Sequence, residues 1–177
     1  MKILTLCSMV LLPMCAWAQP EIPFQGSFSL GAEAAPNTGG ASFCGGSKTD
    51  ELVIEAHGSG FSTLGAFIFT LNKTLSFATG TYHGCLVLTA TNGDTLKANY
   101  ILVQANSSTD FGSGSGTLTF TGGTGRFKNA TGTAKMTAAF LSVYPASSFA
   151  GGGTGPLAVV ANYVFDGSVS FIGPFDR

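Results

Sequence analysis

Charge is what this 177-residue chain has least of. Eight basic and nine acidic residues leave a formal net charge of −1, and charged side chains make up 10% of the sequence, against a typical share of about 25%. With no basic stripe to track phosphates, nucleic acid is excluded as a partner. Histidine is limited to His57 and His83. No HExxH, CxxC, P-loop, GxGxxG or GxSxG occurs, so the chemistries those spacings carry are not signalled. No metal site and no cofactor are expected. Amphipathic helical periodicity is missing too, and 25 glycines make the composition a poor helical one. Fifteen phenylalanines, by contrast, are far too many for a disordered chain.

Cysteine is also sparse, and its placement speaks to the compartment. The chain opens with Lys2, runs apolar to Cys15 and reaches Ala16-Trp17-Ala18. A basic start, a short apolar run and an A-x-A site are the pattern of a secretory signal. Pro13 and the short run disfavour a membrane span, and no later stretch is apolar enough for one. Met14 before Cys15 is the wrong residue for a lipid-anchored cysteine. The expected organisation is therefore a signal at 1–18, cleaved before Gln19, and one domain at 19–177, exported to the periplasm or beyond. Cys7 and Cys15 leave with the signal. Cys44 and Cys85 remain, an even number in an exported chain, which reads as one disulfide; two separate buried thiols are the other reading.

Period-2 alternation dominates the rest. Strands are expected near Phe24–Leu30, Leu52–His57, Leu64–Leu71, Leu75–Tyr82, Leu86–Thr91, Thr95–Val103, Gly116–Thr121, Gly132–Val143 and Val159–Phe171. Leu64–Leu71 is apolar on both faces and reads as central in its sheet. Asn92-Gly93 between two such runs signals a hairpin. About eight strands, Gly-rich turns and few charges to guard open edges favour a closed antiparallel barrel. Gly31–Asp50 and Pro145–Pro156 read as long loops placed to cover a barrel mouth.

The most informative segment is Thr121-Gly122-Gly123-Thr124-Gly125-Arg126-Phe127-Lys128-Asn129-Ala130-Thr131-Gly132. It must enter φ > 0 repeatedly while returning a phenylalanine to the core, so Gly122, Gly123, Gly125, Arg126, Phe127 and Gly132 are expected to form a structural turn. It resembles the Gly-Gly-Thr-Gly-x-Phe-x-x-Ala-x-Gly turn shared by plant dirigent proteins, allene oxide cyclases and many uncharacterised exported bacterial proteins. Asn92-Gly93-Asp94-Thr95-Leu96, Val143-Tyr144-Pro145 and Tyr163-Val164-Phe165-Asp166-Gly167 are similar to that group as well. The resemblance implies an eight-stranded, calycin-like barrel, in plant members often oligomeric, and so a homo-oligomer here. It carries no activity across. The polar pocket of allene oxide cyclases lies mostly on early strands, where no match is found. Dirigent sites use acidic residues and arginines, and the mature chain has only Arg126 and Arg177.

Glu55 and His57, two apart on a strand and so on one face, form the one titratable pair of chemical interest. Tyr100 shares a face with Leu96, Ala98 and Leu102, which places a phenol in the core, where its hydroxyl needs a backbone carbonyl, a water or a ligand. These three are the candidate ligand-binding residues. The favoured expectation is a non-catalytic barrel holding a small hydrophobic ligand. A solid barrel acting through its surface in the envelope is the alternative, and an isomerase or cyclase a third.

Overall fold

In the computed structural model, residues 20–107, 111–143 and 157–171 are described. The expected signal, Tyr144 and the Pro145–Pro156 segment lie outside them. Eight strands follow one another in space as in sequence: β1 (Ile22–Pro36), β2 (Leu52–Ser62), β3 (Gly65–Ser76), β4 (Thr81–Ala90), β5 (Thr95–Ser107), β6 (Phe111–Gly123), β7 (Thr131–Val143) and β8 (Leu157–Ser170). Every neighbouring pair is antiparallel, and β8 pairs back onto β1, from Ile22 opposite Val169 to Ala34 opposite Leu157. The sheet is thus a closed barrel. Closure pairs every strand on both sides, which is how a chain so poor in charge avoids an exposed edge.

Alternation sends one face of each strand inward. On β2, Ile54 and Ala56 are buried while Glu55 and His57 are exposed; on β5, Leu96, Ala98, Tyr100 and Leu102 are all buried. Three expectations are corrected. The segment Leu75–Tyr82 is not a strand of its own: it joins the last residues of β3 to the first of β4 through a reversal at 77–80, with Gly80 at φ +63°. Gly31–Pro36 is not loop but the upper end of β1. Leu64–Leu71 is not central, because a closed barrel has no central strand, and Ile68 faces out, 65% exposed.

The two ends of the barrel differ. At the lower end, the turns at 63–64, 91–94 and 124–130 meet the chain entering β1 and leaving β8. Phe127 is fully buried there, its ring edge-on to Phe171 at 5.2 Å and tilted against Phe67 at 6.0 Å. Phe24 meets Phe120 edge-on at 5.0 Å just above. These rings close the lower end. The loop at 37–51 belongs to the upper end, yet it does not cover the mouth. Its Asp50 carboxylate accepts hydrogen bonds from Ser47 N (2.9 Å) and from the Thr74 hydroxyl on β3. Cys44 is disulfide-bonded to Cys85 on the outward row of β4. The loop therefore lies along the outside of β3 and β4, held by one covalent link and one buried polar pair.

Candidate functional site

The inward row of β3 runs Phe67, Phe69, Leu71, Lys73, Leu75, all buried. Strict alternation thus carries an ammonium into an apolar barrel, with Lys73 only 7% exposed. Its Nζ donates a hydrogen bond to Tyr163 Oη at 3.1 Å and stands 4.5 Å from the centre of the Tyr82 ring. The Tyr163 ring is 5.8 Å away. Among the described residues Lys73 has no carboxylate partner; the ion pair found there is Arg126–Asp94, at the lower end. Moving an ion into such surroundings costs several kcal/mol, and a desolvated face-on aromatic ring returns about 2 kcal/mol or more. Rings and one hydroxyl offset the charge, but no anion among the described residues neutralises it.

Above Lys73 lies a cup of about 50 Å³, walled by Leu52, Ile54, Leu75, Tyr82, Phe140 and Val159 with Lys73 at its polar side. Tyr82 and Phe140 meet edge-on at 6.1 Å in that wall. Below it the side chains close together. The seam between Phe69, Leu71, Leu86, Tyr100, Met136, Tyr163 and Phe165 has no space for a water molecule.

Tyr100 lies in that seam, 2% exposed, and its hydroxyl has no hydrogen-bond partner among the described residues. Its ring fits because residue 84 opposite is glycine: a Cβ there would stand 2.7 Å from Tyr100 Cε1 and Cζ. Burial pushes the Tyr100 phenol well above its ordinary pKa, and the Tyr163 and Tyr82 phenols add to the rise. Burial likewise pushes Tyr82 up to about 12, with Tyr163 contributing less. Both are neutral hydroxyls at physiological pH, able to donate and accept but not to carry charge.

The other two candidates are elsewhere. Glu55 and His57 point out of the barrel and line an open trough of about 420 Å³ with Gly31, Glu33, Ala158 and Val160. Glu33 stands directly opposite Glu55, and Gly31 opposite His57. The pair therefore shares a face, as the spacing requires, but not with Tyr100. Lys73, Tyr82 and Tyr163 are the residues that sequence reasoning missed. The signal for Lys73 was available in the two-residue step from Phe69 and Leu71.

The glycine-rich turn sits away from the cup, at the lower end. Gly122, Gly125 and Gly132 have φ of +114°, +54° and +129°, whereas Gly123 has no positive φ. Residues Gly125–Phe127 form one 3-10 turn. Arg126 donates from its backbone N to Asp94 Oδ2 (3.2 Å) and from Nη2 to the Leu64 carbonyl (3.3 Å), and its guanidinium lies 4.6 Å over the Phe127 ring. Each of these contacts ties the lower turns to one another.

No protein-family model and no curated protein matches the chain. Among solved structures it is similar to the pterocarpan synthase dirigent protein, with 16% identity over 90% of this chain and 91% of that one and a TM-score of 0.46. Eight antiparallel strands in sequential order, closed on themselves, are the calycin-like architecture implied by the resemblance of the turn to dirigent-like and allene oxide cyclase-like proteins.

Proposed function

We propose that the protein is an exported, non-catalytic barrel that binds a small apolar molecule at its upper end. The observation that carries this reading is the contrast between the two ends. Phenylalanines fill the lower end, while the upper end holds a mostly apolar cup whose lining includes Lys73 and Tyr82. A few placed polar groups in an apolar lining is what a small-molecule site requires. Export is supported by the Ala16-Trp17-Ala18 pattern and by the Cys44–Cys85 disulfide. The intact mass of the secreted protein tests the cleavage site: the expected chain begins at Gln19, and a lipid-modified chain beginning at Cys15 refutes it and makes the protein membrane-anchored. Binding is tested by incubating the purified protein with extract of the producing cells and identifying retained small molecules by mass spectrometry. A retained apolar compound, lost when a bulky residue fills the cup (Ile54→Trp), supports the reading. Retention unchanged by that substitution refutes this location.

A surface role is favoured by a different observation. Phe111, Leu141 and Val160 lie side by side across β6, β7 and β8, each about half exposed. Such a stripe, on a face with few charges, favours association with another surface. Light scattering of the purified protein separates the cases. A monomer whose state is unchanged by Leu141→Lys argues against self-association through this stripe.

A further inference from the structure

We infer that the upper cup selects a small monoanion with a short apolar body, a short-chain monocarboxylate, whose head is placed against Lys73. This rests on the reading of the cup as a binding site and adds the chemistry of its occupant. Three observations lead to it. Lys73 is the charged side chain buried inside the barrel, and among the described residues no acidic group accompanies it. The other buried charged residue, Asp50, is outside on the loop and bonded to Thr74. An ammonium with three N–H donors makes one hydrogen bond to protein, at Tyr163 Oη, and the Tyr163 hydroxyl, having accepted it, keeps its own proton to donate. A ligand offering acceptor oxygens and one negative charge satisfies the remaining Lys73 N–H donors from the cup and supplies a countercharge.

Size and lining restrict the rest of the molecule. At about 50 Å³ the cup holds a head group of about three to five heavy atoms, since a single water needs roughly 10–15 Å³ of such space. Of the lining, Leu52, Ile54, Leu75, Phe140 and Val159 offer no hydrogen bonds from their side chains, and Tyr82 adds one hydroxyl and an aromatic face, so a mostly apolar body suits the carbons next to the head. A dianion such as phosphate brings a second charge for which no second cation stands in the cup. A long lipid chain gains nothing below Lys73, where the seam is closed.

The test compares hexanoate with 1-hexanol, equal in chain length and different in charge, titrated into the full mature chain and followed by NMR. Hexanoate is expected to bind at least about tenfold more tightly than hexanol, and Lys73→Met to abolish that preference. If hexanol binds and hexanoate is no tighter, the inference fails and the apolar-site reading stands. If neither binds, both fail. Preference for hexanoate that survives in Lys73→Met places the anion elsewhere and overturns the inference. The unaltered chain provides an independent test should the variant not fold. Intermolecular NOEs from the hexanoate C2 protons to Lys73 Hε are expected, whereas NOEs from the terminal methyl to Lys73, with none from C2, show tail-first binding and overturn it.

Discussion

Replacing Gly125 by alanine is expected to loosen the lower end of the barrel without touching the cup. Gly125 has φ +54°, and a Cβ built on it overlaps the Asp94 carboxylate. The backbone cost of a left-handed alanine is about 1 kcal/mol. Relieving the overlap moves Asp94 off the Arg126 backbone N–H and guanidinium, which loses about another 1–2 kcal/mol at this partly buried site. The total, about 2–3 kcal/mol, corresponds to a melting temperature lower by about 4–12 °C for a chain of this size. Gly125→Val should lose more, because a β-branched residue is still less suited to positive φ. Thermal melts by circular dichroism read the loss, and a second background dissects it. In Asp94→Ala the overlapping atoms are gone, so adding Gly125→Ala should cost only the backbone part, about 1 kcal/mol. A Gly125→Ala protein that melts with the wild type, or a cost that stays the same in the Asp94→Ala background, refutes the account of this turn.

Three other outcomes are expected. Tyr100→Phe deletes a buried hydroxyl that has no partner among the described residues, so stability should be unchanged or rise by about 1 kcal/mol; a loss above that in urea unfolding contradicts the placement of the phenol. An unfolded tyrosine ionises near pH 10, whereas Tyr82 in the barrel holds its proton to about 12. The folded state therefore keeps a proton that the unfolded state releases between those values. Stability should be full below pH 10 and fall by about 2–3 kcal/mol towards pH 12, less steeply in Tyr82→Phe; a urea midpoint equal at about pH 9 and 11.5 contradicts it. Removing the disulfide as Cys44→Ala/Cys85→Ala, which opens a loop with a sequence separation of 41, should cost about 4 kcal/mol in the chain-entropy model. Two thiols titrating in the unfolded, unreduced protein would mean the link is not made.

Much of the barrel was legible because period-2 alternation is a local property. Val53, Glu55 and His57 fall on one face and Leu52, Ile54 and Ala56 on the other whatever the strand pairs with, and the structure keeps that division. Tyr100 was placed inside by the same reasoning from Leu96, Ala98 and Leu102. The site was less legible because a lysine between Asn72 and Thr74 reads as an outward residue by composition, while alternation from Phe69 and Leu71 sends it inward. The loop at 37–51 was misplaced for a related reason. Its length suits a lid, but the Cys44–Cys85 link and the Asp50–Thr74 bond draw it along the outer wall. Those contacts exist only once β3 and β4 are paired. Asn92-Gly93 did mark a hairpin, though only Gly93 uses positive φ, at +87°, while the Asn92 side chain accepts from Asp94 N instead.

The claim that the upper cup is the binding site is tested most directly by methyl NMR of the selectively labelled protein titrated with 1-hexanol. The methyls of Leu52, Ile54, Leu75 and Val159 line the cup, those of Leu64 and Leu96 are buried towards the closed end, and those of Leu141 and Val160 face outward. The account predicts saturable shifts in the first group alone. Saturable shifts centred on Leu141 and Val160, or no saturable shift at any of these methyls, would contradict it.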